Sequence, residues 1–112
     1  MDRFNQDYVR LALNVMGGKW KATILWHLRD GPQRFNQLLR TIPNITKKML
    51  VQQLRQLEND QIIHREVHNI VPPKVEYSVT EYGVSLCPVL QALHKWGEQH
   101  QESIEVEAKR RT

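Results

Sequence analysis

The sequence predicts a domain of the α+β class, made mainly of α-helices with one small β-hairpin. Three observations lead to this prediction. Residues 46–59 repeat leucines at helical spacing opposite a basic face, shorter helical patterns precede them, and residues 62–79 change to the alternation typical of strands. With 112 residues, the chain is expected to form a single domain, 1–112, with a modest core.

The composition describes a folded, basic protein. The net charge is +4 with 25% charged residues, which suits an anionic partner such as nucleic acid or a membrane surface. No apolar run approaches the ~20 residues of a membrane span, and the N-terminus lacks the apolar segment of a signal peptide. The single cysteine, Cys87, excludes an internal disulfide framework, so we expect a cytoplasmic protein that does not bind membranes.

The first helical segment, predicted at residues 3–16, is apolar on two sides. One stripe consists of Phe4, Tyr8, Leu11 and Val15. The other consists of Val9, Leu13 and Met16. One small core cannot cover both stripes, which predicts that this helix pairs with a second copy of the chain. The two glycines at 17–18 are expected to end the helix.

Residues 20–79 are predicted to form the core of the domain. Helices at about 20–29 and 35–41 are followed by a turn and by a helix that Thr46 caps. The three leucines of this last helix, Leu50, Leu54 and Leu57, fall within an arc of roughly 60° and are expected to face inward. Two short helices joined at a tight turn form a helix-turn-helix.

The face opposite the leucines is polar and basic, and the helix has no acid before Glu58. A solvated helix usually mixes both signs of charge, so this face favours a polyanion and predicts a DNA recognition helix at 46–59. In this interpretation Gln52 and Arg55 read base edges, because their side chains match adenine and guanine. The alternative to a DNA-binding face is an ordinary solvated helix face. For Val51 two interpretations stay open, contact with a thymine methyl group and partial burial in the core.

Residues 62–68 and 74–79 are predicted to form a hairpin whose loop, 69–73, is too long and too proline-rich for a two-residue turn. A hairpin directly after a recognition helix is the wing of a winged helix, placed beside the DNA backbone or minor groove. The predicted DNA-binding residues are Arg34, Thr46, Lys47, Lys48, Val51, Gln52, Arg55, Arg65, His68 and Lys74.

A last helix is predicted from its cap, Thr80, to about Gln101, with a flexible tail at 102–112. Its apolar residues recur at alternating steps of four and three, the spacing of a helix–helix seam, and Pro88 is expected to kink it. The first and last helices are thus both predicted to serve dimerisation. The predicted dimer interface consists of Phe4, Tyr8, Leu11, Val15, Leu86, Val89, Leu93 and Trp96.

Five segments together resemble the HxlR-type family of bacterial winged-helix transcription regulators. They are GGKW at 17–20, GPQRFNQL at 31–38, LRQLE at 54–58, PPKVEYSVT at 72–80 and WG at 96–97. Their order and spacing match across roughly residues 8–100. The resemblance implies a cytoplasmic homodimer, joined through its first and last helices, that binds an inverted-repeat operator in double-stranded DNA.

Two positions depart from the family. Thiol-sensing members carry a cysteine where this chain has Asp7, so that switch is not available here. A glycine usually closes the recognition helix where this chain has Gln61. Because a left-handed conformation is costly for glutamine, we expect Asn59 or Asp60 to adopt it instead.

Other chemistries are poorly supported by the sequence. It has no glycine-rich phosphate loop, no Cys/His cluster and no paired carboxylates in an apolar setting. We therefore expect no enzymatic activity, no cofactor and no metal site. His64 and His68 lie four apart in a strand but have no third ligand nearby. Cys87 is interpreted as a packed residue rather than a redox switch.

The alternative function is an RNA-binding or protein-interaction module without operator specificity. RNA readers typically stack bases on aromatic side chains, and the predicted recognition face has none. The sequence leaves open the effector, including a small molecule bound between dimer halves, and the sign of regulation.

Overall fold

The computed structural model describes residues 3–111. These residues contain five α-helices: α1 Gln6–Met16, α2 Lys21–Leu28, α3 Phe35–Thr41, α4 Lys47–Asn59 and α5 Cys87–Arg111. They also contain three strands: β1 Gln33–Arg34, β2 Ile63–His68 and β3 Lys74–Val79. The predicted class is confirmed. The order of α3, turn, α4 and hairpin is that of a winged helix-turn-helix.

The sheet is antiparallel, and β3 lies between β1 and β2. The hairpin pairs Ile63 with Val79 at its base and His68 with Lys74 near its loop. On the other side of β3, the two residues of β1 pair with Tyr77 and Glu76. The sequence predicted only an extended link at 33–34. As a strand, this link joins the beginning of α3 to the wing.

Helix α4 begins and packs as its sequence predicts. The backbone N–H of Met49 donates to the hydroxyl Oγ1 of Thr46 at 3.1 Å, which satisfies one donor of the first turn. Leu50, Leu54 and Leu57 are at most 2% exposed and lie in the shared core. Burying each such side chain stabilises the fold by about 1.5–3 kcal/mol, which fixes the rotation of α4 about its axis.

The end of α4 corrects a prediction. Gln61 itself has the left-handed conformation, with φ of 62°, whereas Asp60 has φ of −81° and Asn59 is helical. The N–H of Ile62 donates to the carbonyl of Leu57, and that of Gln61 donates to Glu58. This pair of bonds is a Schellman motif, which requires the left-handed residue at position 61. The contact of buried Ile62 with the helix end is therefore gained at the cost of strain at Gln61.

Two predicted helix starts are also wrong. Helix α1 begins at Gln6 rather than residue 3, because the side-chain carbonyl of Asn5 accepts from the N–H of Asp7 at 2.8 Å and caps it. The Thr80 hydroxyl accepts from the N–H of Gly83 at 2.8 Å and begins a 3-10 turn, Gly83–Leu86, instead of α5. Since α5 begins at Cys87, Pro88 lies in its first turn and interrupts no helical interior.

The predicted end of the last helix at Gln101 is wrong as well. Helix α5 continues to Arg111, so the tail predicted from residue 102 is helical, and Thr112 lies outside the described residues. Good helix formers dominate this segment, and Glu107 forms an ion pair with Arg111 at 3.4 Å. Cations in the last turn also complement the helix dipole. No helix within residues 3–111 is long and apolar enough to cross a membrane.

Candidate nucleic-acid interface

The exposed face of α4 is the centre of the site. Lys47, Lys48, Gln52 and Arg55 are all exposed, and Val51 beside them is half-buried. Within residues 3–111, none of the four polar side chains forms a hydrogen bond or an ion pair with the rest of the chain, so their donors are available to a partner. Thr46 is exposed too, but its hydroxyl serves as the helix cap.

The wing residues do not form one group. Side chains alternate between faces along a strand, so Arg65 lies on one face of the hairpin and His68 on the other. Arg65 is opposite Tyr77 in the register. Together with Arg55 and Glu58 of α4, these two residues line a recess of about 330 Å³ between the helix and the wing. Arg65 thus extends the basic face of α4, which supports part of the predicted site.

His68 and Lys74 lie on the opposite face, near a groove of about 720 Å³ between α3 and β3. Arg34, Arg40 and Lys74 all line this groove. Arg40 was not among the predicted residues, although its place on the exposed face of α3, away from buried Leu38, was readable from helical spacing. The groove therefore brings these three cations together beside the wing, with the carboxylate of Glu76 in the same lining.

The carboxylate of Glu76, which is not among the predicted residues, contacts both His68 and Lys74. Oxygen Oε1 of Glu76 is 2.9 Å from Nε2 of His68 and 3.5 Å from Nζ of Lys74. His64, on the same face, is exposed and contacts no partner in the described chain. In that part of the chain, no group of three or more His, Cys, Asp or Glu side chains is arranged to hold a metal ion.

The predicted dimer residues divide into two sets. Most are exposed on α1, on α5 or just before α1, with Tyr8 at 71% and Trp96 at 64%. The exposed set is Phe4, Tyr8, Leu11, Val89, Leu93 and Trp96. Val15 and Leu86 instead pack against the core of their own chain. Cys87 is half-buried at the beginning of α5.

A helix-turn-helix whose second helix presents an unpaired basic face, with a hairpin directly behind it, defines a winged-helix DNA-binding protein. A family model described as HxlR-like helix-turn-helix matches residues 15–105. The chain belongs to this family, as its sequence motifs indicate. It is a DNA-binding transcription regulator, since its family and its relatives are transcription regulators rather than enzymes.

Relatives support the assignment over most of the chain. The HTH-type transcriptional regulator YdeP of Bacillus subtilis is 49% identical over 104 residues, which cover 93% of this chain and 81% of that protein. YtcD of the same organism is 55% identical over 92 residues, covering 82% and 73%. Among solved structures, the redox regulator HypR in its reduced form is similar with a TM-score of 0.83 and 48% identity, covering 88% of this chain and 98% of that one.

Proposed function

We propose that this regulator binds an inverted-repeat operator as a homodimer, with α4 in the major groove and the β2–β3 hairpin as its wing. The observation that carries the proposal is the face of α4, where Lys47, Lys48, Gln52 and Arg55 are exposed while the leucines behind them are buried. A dimer would place two such helices in successive major grooves, about 34–36 Å apart.

The residues on this face suit two different tasks. Lys47 and Lys48, in the first turn of α4, suit phosphate contacts, which supply salt-dependent affinity without reading sequence. Gln52 and Arg55 lie further along the helix, where bidentate side chains can reach base edges. Sequence preference is therefore assigned to Gln52 and Arg55, and general affinity to the lysines and to Arg65.

The homodimer is supported by the apolar surface that the chain leaves uncovered. Tyr8 and Leu11 on α1, and Leu93 and Trp96 on α5, are each more than half exposed. Exposed apolar patches of this kind mark protein–protein contacts. Because both end helices carry them, we assign the interface to α1 and α5. The protein then acts in the cytoplasm, where a bacterial operator is found.

The proposal is tested by selecting genomic fragments that the protein retains and measuring the binding of variants to the selected duplex. Arg55→Ala should weaken operator binding by about 1–3 kcal/mol and relax preference at one base pair. Lys47→Ala should weaken operator and scrambled DNA alike and reduce the salt slope by about 1.

Arg110→Ala, on the exposed end of α5, is the matched control and should bind as the parent protein does. Unchanged operator affinity in both α4 variants would refute the assigned face. Equally tight binding of single-stranded RNA of the same length would favour the RNA-binding alternative.

A further inference from the structure

One face of the wing carries an ordered set of charged side chains. The register places His68 directly opposite Lys74, and Glu66 directly opposite Glu76. Arg34 of β1 is opposite Glu76 on its other side. Since directly paired residues point to the same face of an antiparallel sheet, these five side chains form two adjacent rows.

Glu76 is the acid that organises this face. Its Oε1 atom contacts both His68, at 2.9 Å, and Lys74, at 3.5 Å. Its side chain is 23% exposed. The side chain of Glu66 is 58% exposed, and its nearest oxygen is 4.0 Å from Nε2 of His68, which is too long for a hydrogen bond. Two acids directly across a strand pair repel each other, and the contacts of Glu76 with Lys74 and His68 offset this repulsion.

The charge of this face depends on His68. With a neutral imidazole, the five side chains carry no net charge, because Arg34 and Lys74 balance the two glutamates. Protonation of His68 gives the face a net charge of +1. A neutral face offers little attraction to a phosphate backbone, and a carboxylate at its centre repels one.

We propose that Glu76 restrains the wing's affinity for DNA by holding Lys74 and His68, and that protonation of His68 relieves this restraint, so that DNA binding takes up a proton. The inference rests on the proposed function, since it concerns the same wing. A phosphate beside the wing competes with Glu76 for Lys74. When His68 is charged, it can hold Glu76 while Lys74 contacts the phosphate, or contact the phosphate itself.

The direction of the pH dependence follows from the groups that face His68. They are Lys74 and Glu76 across the strand pair, Glu66 on its own strand, and Arg34 on β1 beside Glu76. Arg40 of α3 lines the groove that Lys74 and Glu76 also line. Histidine is the side-chain type among these that ordinarily changes charge between about pH 5 and 8. DNA favours the charged form, so affinity should rise as the pH falls from 8 to 6.

The chain supplies a matched control. His64 lies on the same strand and the same face, opposite the uncharged Ser78, and it is exposed and contacts no partner in the described chain. It therefore lies on the same face of the wing without the Glu76 contact. A His64→Gln variant should keep the pH response of the parent protein, whereas His68→Gln should lose it.

The experiment measures fluorescence anisotropy with a labelled duplex of scrambled sequence, roughly 30 base pairs long so that it spans two half-sites. At pH 8, Glu76→Gln should bind about three- to tenfold more tightly than the parent, with a steeper salt dependence. When the pH is lowered from 8 to 6, the affinity of the parent protein and of His64→Gln should also rise about three- to tenfold. For His68→Gln, the rise in the logarithm of the affinity should be less than half that of the parent protein.

A folded Glu76→Gln protein that binds no more tightly at pH 8 would overturn the inference, as would a His68→Gln protein with the parent's pH response. If Glu76→Gln does not fold, the comparison of the two histidine variants decides alone. Failure of the proposed function would look different, because Arg55→Ala and Lys47→Ala would then bind the selected duplex as tightly as the parent protein does. The wing variants on scrambled DNA would still decide the inference in that case.

Discussion

Replacing Gln61 with glycine should stabilise the protein. The φ of 62° places this residue in the left-handed region, which costs a residue with a Cβ atom roughly 1–2 kcal/mol. Glycine removes that cost but loses about 0.5–1 kcal/mol through the greater freedom of the unfolded chain. The net gain should be about 0.5–1 kcal/mol, or roughly 2–6 °C in melting temperature for a domain of this size.

The contacts around position 61 involve only its backbone, so the substitution preserves them. The N–H of Gln61 donates to the carbonyl of Glu58 at 2.9 Å, and the Thr80 hydroxyl donates to the carbonyl of Gln61 at 2.7 Å. The side chain is exposed and forms no hydrogen bond within the described residues. Any gain therefore reports on backbone conformation.

Urea and thermal unfolding, followed by circular dichroism at a fixed protein concentration, measure the change. Asp60→Gly is the matched control, because φ at Asp60 is −81° and glycine there only adds unfolded-state freedom. Asn44→Gly, at φ of 67°, should give a smaller gain, since asparagine adopts this region more readily than glutamine. The strain argument is refuted if Gln61→Gly proves no more stable than Asp60→Gly.

Other variants test the packing and the two proposed surfaces. Thr46→Ala should lower the free energy of unfolding by about 1 kcal/mol through loss of the helix cap, whereas Thr46→Ser should not; equal losses would contradict the capping role. Leu54→Ala, at a site 2% exposed, should cost about 2–5 kcal/mol in urea unfolding, and a cost below 1 kcal/mol would contradict the burial of α4. Leu93→Glu, at a site 53% exposed, should leave the fold of each chain intact but yield monomers in sedimentation with weak operator binding. An intact dimer would reject the α5 interface.

The elements that the sequence predicted well are those with a strong local signal. Helix α4 has a capping threonine, three leucines at helical spacing and a polar opposite face, and its bounds agree with the prediction. Strands β2 and β3 have alternation and β-branched residues, and they lie within a residue of their predicted bounds. Strand β1 has two residues, too few for any periodicity. Only its pairing with Tyr77 and Glu76 makes it a strand.

The beginning of α5 was misplaced because a contact distant in sequence determines it. Thr80 hydrogen-bonds to the carbonyl of Gln61, and the chain at Gly83 passes so close to Ile62 that a Cβ atom would collide with its carbonyl oxygen. The segment is thereby held against the end of α4 and forms a 3-10 turn before the helix begins. The seam-like apolar spacing runs through this turn without a break, so it gave no sign of the boundary.

Part of the candidate site could be predicted from the alternation of side chains along a strand alone. Arg65 and His68 are three residues apart in a strand and must lie on opposite faces, so the alternation alone already separates these two predicted wing residues. The pairing of His68 with Lys74 follows from the predicted strand ends, since a loop at 69–73 places residues 68 and 74 opposite each other. The contacts of Glu76 with these two side chains did not follow from the sequence, in which Glu76 is one acid among several. Its role at the centre of the wing emerges only when the strands are aligned.

The end helices bury few of their apolar side chains against their own chain. Almost all buried apolar residues lie between residues 24 and 63. Outside that range, α1 contributes Met16 to the core and α5 contributes Leu90. An 11-residue helix and a 25-residue helix, each with one buried apolar side chain, gain little stability from their own chain. Exposed residues such as Tyr8 and Trp96 would each contribute about 1.5–3 kcal/mol if a second copy fully buried them. In the proposed dimer, association would therefore stabilise the end helices far more than the winged-helix core, which is why a charge at Leu93 should separate assembly from folding.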